Sequence, residues 1–196
     1  MKEKNTKILF YGATWGAVEA TLGYLMHLFL VPFTGFVMFP IGVYFMRRGA
    51  TATDDKKAPV YIAMIAAAIK LVDLLLPNTM VIKAVNPAMA ILLQGVAVSL
   101  FLVFKESGLL KNGIFASLAW RLGFIGIVYF ESLSGTQMRL LSSGAMGILR
   151  YLTVDVLVNG LLIYGIVKGV KVSAVNVRPS YAVLALIAAV SINIAV

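Results

Sequence analysis

From Ile8 to Leu30 the chain runs ILFYGATWGAVEATLGYLMHLFL, an apolar stretch long enough to cross a bilayer as a helix at about 20 residues per crossing. Near its middle stands Glu19, a carboxylate that is costly in hydrocarbon without a partner or a water-filled cavity. Two readings follow, a structural ion pair or a functional site. Gly12, Gly16, Ala20 and Gly23 recur at three- and four-residue spacing beside Ala13 and Ala17. One side of this helix is therefore nearly free of bulk and open to close approach by another helix, of this chain or of a partner.

Further apolar segments follow at 36–46, 59–76, 83–104, 113–130, 148–167 and 180–196. The 36–46 segment is short and holds Pro40 and Gly42, so an oblique or broken crossing is expected there. A tight turn is expected at Pro32–Gly35, and Pro77-Asn78 ends the third segment. The intervening loops, 47–57, 105–112, 131–147 and 168–179, are polar. No repeat, low-complexity tract or linker divides the chain. The fold class expected is all-α: one polytopic transmembrane helical bundle of six to seven spans over residues 1–196, with the last segment crossing or lying on the surface.

Composition agrees. The chain is 61% hydrophobic and 13% charged, against about 25% charged for soluble domains, and its mean hydropathy is +0.94. The MKEKNTK start followed by an apolar run imitates a signal peptide. The run is too long, however, and no A-x-A-like site follows it, so an uncleaved first helix is expected. No cysteine is present, which removes disulfides, thiolate nucleophiles and cysteine-ligated metals.

A net charge of +9 in a soluble protein would suggest nucleic acid. Here the basic residues fall in short loops, where they set topology and meet anionic lipid headgroups, and no nucleic-acid partner is expected. With the N-terminus cytoplasmic, the inner side carries Lys2, Lys4, Lys7, Arg47, Arg48, Lys56, Lys57, Lys105, Lys111, Lys168, Lys171 and Arg178. The outer side carries Lys83, Arg139 and Arg150. The bias alternates at every loop and predicts a multi-pass protein of the cell membrane with its N-terminus in the cytoplasm.

Placed by depth, Glu19, Gln94 and Arg121 fall near the midplane. Lys70, Asp73 and Asp155 lie in the outer half, with Asn159 one turn below Asp155. Asn86, His27, Glu131 and Arg150 sit toward the outer rim. Such groups face a bundle interior or a cavity, which predicts an outward-opening pocket capped by residues 131–147. The substrate-binding residues expected are Glu19, Asn86, Gln94, Trp120, Arg121, Asp155 and Asn159. Each has a plainer alternative. Lys70 and Asp73, at i,i+3, pair with each other. Arg121 neutralises Glu19 or Asp155 instead of binding a ligand carboxylate or phosphate. Gln94 and Asn159 bond neighbouring helices, Trp15, Trp120 and Tyr129 are core or belt aromatics, and His27 is interfacial.

Enzyme motifs are missing. There is no H-E-x-x-H, G-x-S-x-G or G-x-x-x-x-G-K-[ST], and one histidine cannot build a multi-histidine metal site. No catalytic residue, metal or cofactor is expected, and uphill transport would draw on an ion gradient or a partner.

Ala13-Thr14-Trp15-Gly16-Ala17 forms A-x-x-x-A on the first helix, and Phe39-Pro40-Ile41-Gly42 interrupts the second. With its small size and basic charge, the chain from Ile8 to Lys168 resembles the substrate-binding membrane subunits (S components) of energy-coupling factor transporters. The resemblance implies a high-affinity site for a vitamin- or cofactor-like molecule, built from the outer halves of later helices. It also implies a transmembrane coupling subunit docked on Ala13 and Ala17, and ATP-binding cassette ATPases as the power source. The seventh segment and Glu19 depart from that pattern; on a helix Glu19 points away from the Ala13/Ala17 face. A polar, zwitterionic or anionic small molecule is the substrate class expected. A self-contained ion-coupled carrier or channel is the alternative, and a membrane enzyme or assembly subunit the third reading.

Overall fold

A computed structural model describes residues 2–28, 35–77, 79–102, 108–133, 135, 139–169 and 176–195. Of the turn expected at Pro32–Gly35 only Gly35 is described, and it is helical; Asn78, Lys105, Lys171 and part of the 131–147 cap lie outside the described residues. Among the described residues the chain is all-helical: α1 (Glu3–Leu28), α2 (Gly35–Thr53), α3 (Ala58–Leu71, continued by a 3-10 turn Val72–Leu75), α4 (Val81–Phe101), α5 (Leu109–Ser132), α6 (Arg139–Ser142), α7 (Gly144–Leu152), α8 (Val154–Gly169) and α9 (Pro179–Ala195).

Local chemistry accounts for the boundaries. Pro59 opens α3, whose first-turn N–H groups need no helical acceptor. Leu76 is extended, the conformation imposed on a residue before proline, and stops the 3-10 turn at Pro77. Gly108 enters α5 with φ 68°, a left-handed value that glycine adopts without strain. The second segment is not broken. It continues through Pro40 and takes in Arg47–Thr53, expected as loop, to make a helix of 19 residues. Residues 139–142 and 144–147, also expected as loop, belong to α6 and α7.

Among the described residues four helical stretches are long and apolar enough to cross a membrane: Ala58–Leu75, Val81–Phe101, Leu109–Ser132 and, α7 and α8 taken together, Gly144–Gly169. Large apolar side chains such as Leu75, Phe130 and Met146 are exposed on them, a surface suited to lipid rather than water. α9 is apolar but shorter. α1 has the length, 26 residues, but its Gly, Thr, Trp and Glu residues lower its hydropathy. It faces protein more than lipid, being packed against α2, α3 and α9.

Contacts at the helix ends fix the alternation. Lys4 Nζ is 2.8 Å from Asp55 Oδ2, Arg47 donates to the Leu102 carbonyl, and Ser99 Oγ donates to the Lys56 carbonyl at 2.7 Å. The start of α1, the α2–α3 connection and the end of α4 thus share one end, which gathers Lys2, Lys4, Lys7, Arg47, Arg48, Lys56 and Lys57. The hydrogen bond from Lys4 and the Lys57 N–H hold the Asp55 carboxyl below the usual carboxylate range. At the opposite end Asn86 Nδ2 donates to Glu131 Oε2 at 3.0 Å, joining the start of α4 to the end of α5.

The glycines of α1 set its distance from α3. A Cβ on Gly12 would lie 2.7 Å from Ile65 Cβ, and one on Gly16 2.6 Å from Ile69 Cδ1. Both contacts have the same offset along the chain, so the two helices run parallel here.

Ala13 and Ala17 do not form an open docking face. Ala13 is fully buried, and with Ala17 it packs against Ala185, Leu186, Ala189 and Val190 of α9. Small residues on both helices let the backbones approach, so the chain's own last helix occupies the seam expected for a partner. Ala13→Leu is expected to overfill it at about 1–3 kcal/mol. The readout is hydrogen exchange rising in α9 while α4 and α5 stay protected; unchanged protection of α9 would dismiss the seam.

Candidate functional site

Arg121 lies on α5, wholly buried in the helical bundle. Its Nη1 donates to Ser117, to the carbonyl at 3.2 Å and to the hydroxyl, and its Nη2 donates to Asn159 Oδ1 at 2.6 Å. The guanidinium carbon sits 4.6 Å from the Trp120 ring centroid and 5.1 Å from that of Tyr151, within range of cation–π attraction from both.

Asn159 on α8 links this arginine to the backbone of α2. Its Nδ2 donates to the Phe36 carbonyl at 2.6 Å. Phe36 stands four residues before Pro40, and proline has no N–H to give to the carbonyl at i−4. The side chain thus satisfies the acceptor that Pro40 leaves free, which is how a proline is tolerated inside a membrane helix. The other end of the same amide, Oδ1, accepts from Arg121 and from Ser117 Oγ at 3.3 Å.

Three polar atoms around this centre are buried and lack a hydrogen-bond partner: Arg121 Nε, Trp120 Nε1 and Asp155 Oδ2. Two are donors and one an acceptor. Asp155, on α8 one turn before Asn159, acts on Arg121 through its charge, but no ion pair joins them. A buried unpaired polar group costs roughly 1–3 kcal/mol, more if charged. A molecule presenting an acceptor to Arg121 and Trp120 and a donor to Asp155 would offset all three.

The expected site residues divide into separate places. Arg121, Asp155, Asn159 and Trp120 come together. The Trp120 ring is not a free stacking surface, being enclosed by Arg121, Phe39 at 5.5 Å, Tyr151 and Phe124. Asn86 lies at the rim against Glu131, and Gln94 is buried along α4. Glu19 is elsewhere. α1 packs on α2, α3 and α9, so Glu19 is separated from Arg121, and Lys70 is the cation whose charge acts on it. Lys70 and Asp73 pair with each other at 2.7 Å, the plainer of their two readings. The His27 side chain lies outside those described.

Ser117 and Tyr151 belong to the centre and were not expected there. Their spacing carried the signal: Ser117 and Arg121 are i,i+4, and Tyr151, Asp155 and Asn159 form an i,i+4,i+8 stripe, one face of a helix. That stripe survives the break at Thr153 between α7 and α8. No protein-family model, curated protein or solved structure matches this chain.

Proposed function

We propose that this protein is the membrane-embedded substrate-binding subunit of an uptake transporter for a small polar molecule of vitamin or cofactor type. The observation that carries the reading is a fully buried arginine that no carboxylate among the described residues pairs, with unpartnered donor and acceptor atoms at Arg121, Trp120 and Asp155. Intramembrane ionisable groups of this kind mark binding sites and pathways. Asn159 and Ser117 hold the guanidinium, and Tyr151 covers it from α7.

In this reading six to seven helices cross the cell membrane. The basic end faces the cytoplasm, and Asp155 lies toward the outer leaflet. The partners are a transmembrane coupling subunit and ATP-binding cassette ATPases, as in the S components the sequence resembles. With α9 on Ala13 and Ala17, the coupling subunit docks on a face other than that seam.

Gentle affinity purification from native membranes, with mass spectrometry of proteins and small molecules, tests the proposal. A second multi-span protein, ATPases and a retained polar molecule are the expected result. A solitary chain in several mild detergents would overturn it in favour of a self-contained ion-coupled carrier, a reading favoured by the Glu19–Lys70–Asp73 group on the far side of α2. Flux by the purified chain in liposomes distinguishes the two.

A further inference from the structure

Arg121 and Asn159 are fully buried, and Trp120 and Asp155 nearly so. A molecule therefore reaches these groups only when an element around them withdraws. Those elements are α2, α5, α7 and α8, and they are held unequally. α2 buries Met38, Phe39, Pro40 and Val43 among others. α5 and α8 close on each other at Gly113 and Gly160, where a Cβ would meet Ile163 and Ile114. α7 has nine residues, of which Tyr151 alone is buried. Met146 and Leu149 on it are 77% and 56% exposed, an apolar face that lipid covers wherever the helix lies.

Both ends of α7 permit a turn. Gly144 opens it with φ 72°, a left-handed value that glycine adopts without strain. At the other end Thr153, with φ −116° and ψ −74°, interrupts the run into α8. Its hydroxyl and its N–H both go back to the Leu149 carbonyl, at 2.7 and 2.9 Å, and such back-bonding bends helices. Two residues before this bend, the Tyr151 ring lies 5.1 Å from the Arg121 guanidinium carbon and 6.3 Å, edge to face, from the Trp120 ring. Ser117 meets Asn159 and Trp120 meets Tyr151, so α5 runs antiparallel to α7 and α8. α7 thus lies toward the Glu131 end of α5, away from the basic end.

We propose that α7 is the gate of the Arg121 site. It bends at Thr153 and carries the Tyr151 ring off the guanidinium, so that water and then a polar solute enter from the non-basic end. Closing returns the cation–π contact and expels water, which strengthens the polar contacts inside. The proposal rests on the reading of Arg121 as the substrate site, but the movement is measurable without substrate, because the empty protein itself opens and recloses.

The chain has no cysteine, so a single introduced thiol reports access without background. The reporter is Ser117→Cys, beside Arg121 and fully buried, in liposomes with a charged, water-soluble methanethiosulfonate as the probe. Ala67→Cys, 2% exposed on α3, is the control. The reporter is expected to react slowly and the control not at all. Thr153→Gly, an exposed change outside the site, frees the hinge and should speed the reporter about 2- to 5-fold. Spin labels at Met146→Cys and Val81→Cys, both exposed positions, give a second readout that leaves the site intact. Their distance distribution should be broader than that of a Val81–Phe130 pair, and broader still in Thr153→Gly. An inert reporter, a rate indifferent to Thr153→Gly, equal acceleration of both thiols, or an α7 pair as narrow as the Val81–Phe130 pair in both proteins overturns the gate. Retention of a small molecule on purification is scored separately. An opening α7 over an arginine that retains nothing would reject the substrate reading and leave the movement standing.

Discussion

Arg121→Ala is expected to abolish retention of the co-purifying small molecule. A buried charged hydrogen-bond partner is worth about 2–5 kcal/mol to a bound ligand, so affinity should fall by roughly 30-fold to several thousand-fold. The same substitution removes a charge that acts on Asp155 and leaves Ser117 and Asn159 Oδ1 without their buried donor, at about 1–3 kcal/mol for each group stranded. The two losses can be separated. Asp155→Asn added to Arg121→Ala should recover part of the stability, with a coupling of about 0.5–3 kcal/mol between sites that act on each other, yet restore no binding. Arg121→Lys keeps the charge but loses Nε, the planar fork and the fit between the Trp120 and Tyr151 rings, so it should insert and still fail to retain ligand. Retention equal to wild type in correctly inserted Arg121→Ala would remove this arginine from the site. Strictly additive stability losses would deny its link to Asp155.

Asn159→Ala carries the second large effect, and Pro40 decides its size. Removing the amide strands three groups, the Phe36 carbonyl, Arg121 Nη2 and the Ser117 hydroxyl, at about 1–3 kcal/mol each. Pro40→Ala restores a backbone N–H that reaches Phe36 in ordinary helical fashion. In that background the cost of Asn159→Ala should shrink by about 1–3 kcal/mol, read from denaturant midpoints in detergent. An equal cost in both backgrounds would show that Asn159 does not fill the gap left by Pro40.

The sequence made much of this legible where chemistry is local. Apolar runs and loop charges marked out helices that alternate between a basic end and its opposite, because span length and lysine placement depend on the bilayer alone. Lys70 and Asp73 paired as their i,i+3 spacing allows, and Arg121, Asp155 and Asn159 came together as buried residues on facing helices. What depended on the choice of neighbour was not legible. Pro40 read as a break because the amide that repairs it lies 123 residues away from Phe36. Ala13 and Ala17 read as a docking face because a small-residue stripe names no partner, and α9 supplied one from within. Glu19 and Arg121 shared a depth, but depth along a bundle does not give position around it, and α2 stands between them.

The seating of α9 also has a consequence in time. Asn193 binds the Ile69 carbonyl across 124 residues of chain, an interval that a ribosome at about 5–20 residues per second spans in roughly 6 to 25 s. Through that interval α1 and α3 are already made, while Ala13 and Ala17 meet lipid or an insertion factor instead of their helix. Biogenesis of this protein therefore includes a waiting period with an open small-residue seam. A chain stalled before α9 would be the form most exposed to capture by membrane quality control.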